Sequence, residues 1–175
     1  AEMALDAGLA SLVMDAPGTG ENPFPWVPES VKAWVAAVQT LMAHPQVDAS
    51  RVGAFGISRG GYSVMQLAGT APDLVKAVVA VAGNPFGYKL TDAEMSATID
   101  ARNRRSNFRF GPEDGPPSFP AWSVEKENQI FDGWALSSLG IVENITMPVL
   151  MINGDKDHLA PIGNIYYMLE GGPVG

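Results

Sequence analysis

Gly56-Ile57-Ser58-Arg59-Gly60-Gly61 sets a hydroxyl between glycines at the spacing G-x-S-x-G. A serine hydroxyl attacks a carbonyl carbon once a base takes its proton and preorganised donors hold the oxyanion that forms. The spacing suits that chemistry if a strand ends at the serine and a helix starts just after it. The chain then turns so sharply at Ser58 that side chains two residues to either side would collide, which accounts for the glycines. Such a turn leaves the hydroxyl above the carboxyl edge of a sheet, where ligands bind in open α/β folds. It also aims the first N–H groups of the next helix at the same place. A tight turn with an incidental serine is the competing reading, and the flanking elements decide between them.

Those elements are present in the right order. Leu9 to Asp15 is an apolar run without alternation, the pattern of a strand buried on both faces. Ala16-Pro17-Gly18-Thr19-Gly20 breaks it, and Pro23, Pro25 and Pro28 keep the connection irregular. From about Ser30 to Ala43, Val31, Trp34, Val35, Val38, Leu41 and Met42 form one helical apolar stripe, ended by Pro45. Arg51 to Ile57 reads as a strand and Gly60 to Leu67 as the next helix, so Ser58 stands between them. Val75 to Ala82 and Pro148 to Asn153 read as further buried strands, and Ile162 to Leu169 as a short helix. Strands alternating with helices predict a parallel sheet covered on both sides.

Between the last two strands lies an insertion of roughly 60 residues, too long for a simple crossover. It carries Arg102, Arg104, Arg105 and Arg109, then the loop from Gly111 to Pro117, and the aromatics Phe119, Trp122, Phe131 and Trp134. A helical cap over the sheet is the economical reading. Residues 1–84 are then the first part of a core, 85–147 the cap, and 148–175 the second part of the core. Trp122, Phe110 and Trp134 are candidates for a pocket wall, and Asn84 for the site mouth. The arginine cluster reads as a solvated helix face. The opening residues look like the last turns of a helix, and Gly171 to Gly175 like a loop cut short, so the fold is expected to be incomplete in this chain.

Asp15-Ala16-Pro17-Gly18-Thr19-Gly20-Glu21, with Val47 to Gly53 running into the elbow, resembles the α/β-hydrolase superfamily. Within it the chain is most similar to the FrsA-like esterase and polyketide (C–C) hydrolase group. The resemblance covers most of the chain outside the insertion. It implies an α/β-hydrolase fold and a Ser–acid–His triad in that chain order, with Ser58 as nucleophile. It puts the acid at Asp157, in Gly154-Asp155-Lys156-Asp157-His158-Leu159-Ala160-Pro161, with Asp155 as fallback. It assigns one oxyanion donor to the backbone N–H of Arg59, and the other to a loop expected before Ala1. The resemblance calls for a histidine beyond the acid. His158 is too close to Asp157 to bridge it to Ser58, and His44 reads as a helix C-terminal residue favoured by the dipole. The base is therefore expected beyond Gly175.

Composition narrows the classes. A net charge of −8 argues against a nucleic-acid binder, which needs a basic face for phosphates, and against an anionic membrane surface. With no cysteine there is no disulfide, thiolate nucleophile or Cys-held metal. No apolar run reaches the roughly 18 residues of a membrane span. A cytoplasmic protein is expected, without cofactor or metal; a phosphate loop is absent, and Gly18-Thr19-Gly20 lacks the further glycine of a dinucleotide fingerprint. The expected partner is a small acyl or ketone substrate, with a second copy in a homodimer. The expected chemistry is serine hydrolysis of an ester, or of a C–C bond beside a ketone. The alternative is a non-catalytic binding or regulatory protein on the same scaffold.

Overall fold

The computed structural model describes residues 2–85, 90–110 and 123–171. Residues 111–117, Phe119 and Trp122 lie outside the described residues, as do the side chains of Arg105, Arg109, Phe110 and Phe131. Three parallel strands, β1 (Gly53–Ile57), β2 (Ala77–Val81) and β3 (Val149–Ile152), form a sheet in the order β1-β2-β3. Phe55, Val79 and Leu150 stand in register across it, as do Ile57, Val81 and Ile152. The helices are α1 (Glu2–Asp6), α2 (Val31–Met42), α3 (Arg59–Thr70), α4 (Asp92–Phe110), α5 (Val124–Trp134) and α6 (Gly163–Gly171).

Apolar, largely β-branched runs make β2 and β3 suited to a buried parallel sheet. The turn into β1 is set by Asp48, whose carboxylate accepts from the Ser50 amide at 3.0 Å and hydroxyl at 2.6 Å. Helix α3 lies on the face that presents Val78 and Ala80, and its Tyr62, Met65 and Ala68 are buried there. Burial contributes about 1.5–3 kcal/mol for each large side chain. The stripe of α2 (Trp34, Val35, Val38) packs against the same core, and Leu136, Val142 and Ile145 close its end. The described part of the insertion holds α4 and α5, and turns with a short 3-10 helix at Val142–Asn144 lead from α5 into β3.

Two expectations fail. Leu9 to Asp15 takes no part in the sheet, and its Val13 is 75% exposed. Apolar content sets what a segment gains by burial, but a strand exists only where a neighbour completes its ladder. Among the described residues β1 pairs with β2 alone. Nor do the described residues cover the sheet on both sides. On the face away from α3, Phe55, Ile57, Leu150 and Ile152 are 65, 59, 54 and 48% exposed. No helix among the described residues is long and apolar enough to cross a membrane.

Candidate active site

Ser58 joins β1 to α3 with φ 56° and ψ −117°, a conformation that few residues other than glycine adopt. Such a residue costs on the order of 1–3 kcal/mol and persists only where its surroundings over-determine it. They do. The Ser58 amide donates to the Val81 carbonyl at 2.8 Å, extending the β1–β2 ladder, and its carbonyl accepts from the Tyr62 amide at 3.1 Å, starting α3. The side chain is exposed and makes no hydrogen bond among the described residues. The Arg59 amide follows directly, at the N-terminal end of α3.

The glycines divide differently from the sequence expectation. A Cβ on Gly56 would overlap the Gly60 carbonyl and stand 2.8 Å from the Gly61 nitrogen, so the elbow closes only on glycine there. A Cβ on Gly60 meets nothing within 4 Å. Gly61 is the second required glycine, because a Cβ there would lie 2.7 Å from the Gly83 Cα at the end of β2. Gly56→Ala is therefore expected to destabilise the fold by about 3 kcal/mol or more, through overpacking against backbone that cannot yield. Gly60→Ala, a helical position in open space, is expected to stabilise it by up to about 1 kcal/mol. Urea midpoints of the two variants measure this. Similar losses at both positions would contradict the asymmetry.

An aromatic group borders the elbow, and apart from Trp134 its members escaped the sequence reading. Arg59 sets its guanidinium 4.3 Å from the Trp26 ring centroid, a cation–π contact. The Trp26 and Trp134 rings are 4.2 Å apart, and Trp134 meets Tyr62 edge-on at 5.7 Å. The Tyr62 hydroxyl donates to the Trp134 carbonyl at 3.0 Å. Burial pushes the Tyr62 phenol well above its ordinary range, so it stays a donor. Trp26 lies beside Gly18 of the Asp-x-Pro-Gly-x-Gly-Glu loop, which the Asp15 carboxylate organises by accepting from the Glu21 amide at 3.0 Å. The Asp15 carbonyl accepts from Asn22 Nδ2 at 2.8 Å. Tyr62, one helical turn past the serine, was legible as a neighbour; Trp26, in a proline-rich loop, carried no such signal.

The second loop leaves β3, two strands from β1. Asp157 is half-buried, and its Oδ1 accepts from the amides of Leu159 at 2.8 Å and Ala160 at 3.1 Å. Asp155 is exposed. Asn153 donates to the Ala160 carbonyl and closes the loop at its base. The His158 carbonyl accepts from Thr98 Oγ1 at 2.7 Å. His158 is exposed, and so is His44, whose Nδ1 accepts from the Gln46 amide at 3.3 Å just past α2. Ser58 and the Asp157 loop thus lie at the carboxyl end of one sheet. Asn84 is half-buried just past β2.

The arginine cluster is not simply a solvated face. Arg102 makes a two-pronged pair with Glu127 of α5, at 2.8 and 2.9 Å, and the Glu127 side chain is only 6% exposed. Arg104 is exposed.

A family model described as the prolyl oligopeptidase family, peptidase S9, matches residues 5–104. Dipeptidyl-peptidase 5 of Porphyromonas gingivalis is 31% identical over 130 residues, which are 74% of this chain. The chain spans 17% of the length of that curated relative. The monoacylglycerol lipase of Paleococcus ferrophilus superposes with a TM-score of 0.63 at 21% identity, covering 99% of this chain and 73% of that one. Est1E from Butyrivibrio proteoclasticus, with ferulic acid bound, superposes with a TM-score of 0.64 at 23% identity, covering 98% and 67%. At such identities these two show the fold. The FrsA-like subgroup expected from the sequence is not confirmed by the match. With its parallel sheet, its strained elbow and the family model laid over them, this chain has the α/β-hydrolase fold and belongs to the prolyl oligopeptidase family.

Proposed function

We propose that this chain carries the nucleophile and the acid of a serine hydrolase that cleaves acyl compounds through an acyl-enzyme on Ser58. The observation that carries the reading is the elbow itself. An exposed hydroxyl held at φ 56° between β1 and α3, without a hydrogen bond among the described residues, is strain in a place where chemistry would use it. In this reading Ser58 Oγ attacks the carbonyl carbon, its proton passes to an imidazole, and the Arg59 amide holds the oxyanion. Asp157 orients that imidazole and stabilises its positive charge. Two strand spacings of about 4.8 Å separate β1 from β3, a gap that an imidazole hydrogen-bonded at both nitrogens can bridge.

Membership of a peptidase family, and a relative named as a dipeptidyl-peptidase, favour peptide amides as the substrate. Esters engage the same residues. The C–C bond beside a ketone, which the FrsA-like resemblance implied, draws no support from the family match. The test is labelling of the whole protein with a fluorophosphonate probe, followed by peptide mass spectrometry. A single adduct on Ser58 is expected. An unlabelled Ser58 in folded protein would leave the non-catalytic binding reading standing.

A further inference from the structure

Ser58 and Asp157 follow strands that are not neighbours, so no ladder hydrogen bond joins β1 to β3 directly; β2 lies between. Asp157 Oδ1 with the Leu159 and Ala160 amides, and Asn153 with the Ala160 carbonyl, are bonds inside the acid loop. They set its shape. Its place over the sheet needs a hold from elsewhere, and α4 supplies one. Thr98, 1% exposed, donates its hydroxyl to the carbonyl of His158, the residue after Asp157, from 60 positions away in the chain. A threonine inside a helix commonly bonds back to its own preceding turn; this one reaches out of its helix.

The hold does not end at α4. Arg102 follows Thr98 by one turn on the same face, and its pair with Glu127 ties α4 to α5. Helix α5 ends at Trp134, whose carbonyl accepts from the Tyr62 hydroxyl, and the Tyr62 amide donates to the Ser58 carbonyl. The contacts run from the acid loop through both inserted helices to the elbow.

Resting on the acyl-enzyme reading above, we infer that Thr98 is a positioning residue for Asp157, and that α4 and α5 form a strap fixing the acid loop relative to Ser58. Misplacing a catalytic group by about 1 Å can cost 100-fold in rate, so a strap between non-adjacent strands has a direct catalytic consequence.

The experiment compares Thr98→Val and Thr98→Ser in the whole protein. Valine keeps the shape and removes the donor; serine keeps the donor. Two readouts are taken: hydrogen exchange of the Leu159 and Ala160 amides, and kcat and KM on dipeptidyl 4-nitroanilides and p-nitrophenyl esters. For Thr98→Val, exchange faster by about 10-fold is expected, with kcat lower by about 10-fold and KM within about twofold. Thr98→Ser is expected to restore both. Unchanged exchange in Thr98→Val overturns the hold on the loop. Faster exchange with unchanged kcat overturns the positioning role, as does a loss of kcat that serine fails to rescue. No turnover and no fluorophosphonate adduct in the unaltered protein would sink the hydrolase reading instead, while the exchange rates still decide whether Thr98 holds the loop.

Discussion

Ser58→Ala in the whole protein is expected to lower kcat on dipeptidyl 4-nitroanilides or p-nitrophenyl esters by on the order of 10⁵-fold or more, with the urea midpoint unmoved. On the proposed acyl-enzyme reading, the rate effect follows from removing the atom that forms the acyl bond. The stability effect is small for three reasons. The hydroxyl is exposed, it makes no hydrogen bond among the described residues, and alanine suffers the same backbone strain at φ 56°. A surface change of that kind stays within about 0.5 kcal/mol. Turnover that survives in Ser58→Ala removes this serine from the mechanism. Collapse of the fold would instead make Ser58 a structural turn residue.

Asp157→Asn should lower kcat by on the order of 10⁴-fold, again without loss of fold. Asparagine retains an Oδ1 that can accept from the Leu159 and Ala160 amides, so the loop keeps its shape. What changes is the charge facing the imidazole, together with the tautomer that charge selects. Asp157→Ala removes the loop cap as well, leaving two amides without their acceptor at a cost of about 1–3 kcal/mol. The pair therefore separates two roles for one carboxylate. A residue that merely caps its loop would lose stability in Asp157→Ala and keep full activity in Asp157→Asn. Asp155→Asn, on an exposed side chain of the same loop, provides the control and is expected to leave kcat unchanged.

Much of this site was legible before any coordinates. The run Gly53 to Ile57, the glycines around Ser58 and the stripe of α3 name strand, elbow and helix through local chemistry alone. The expectation of an acid at Asp157 came from the α/β-hydrolase resemblance rather than from local chemistry. The reason for one glycine did not. Gly60 was read as a steric necessity, whereas the close approach falls at Gly61 against Gly83, residues from different elements. Arg102 was read as a solvated charge because its partner lies 25 positions away on another helix. Leu9 to Asp15 shows the same limit in a strand-like segment: its residue types favour burial, and pairing depends on what lies beside it.

The sequence by itself determined what is local: where the chain turns at Ser58, the strand and helix on either side of it, and which hydroxyl is left at the sheet's rim. Those outcomes follow from glycine's missing Cβ and from apolar periodicity, which act over a few residues. Only the tertiary structure decided that Trp26, Trp134 and Arg59 meet and that Thr98 reaches the loop of Asp157. Such contacts join segments tens of residues apart, so they depend on how strands and helices stack, and no spacing along the chain encodes it.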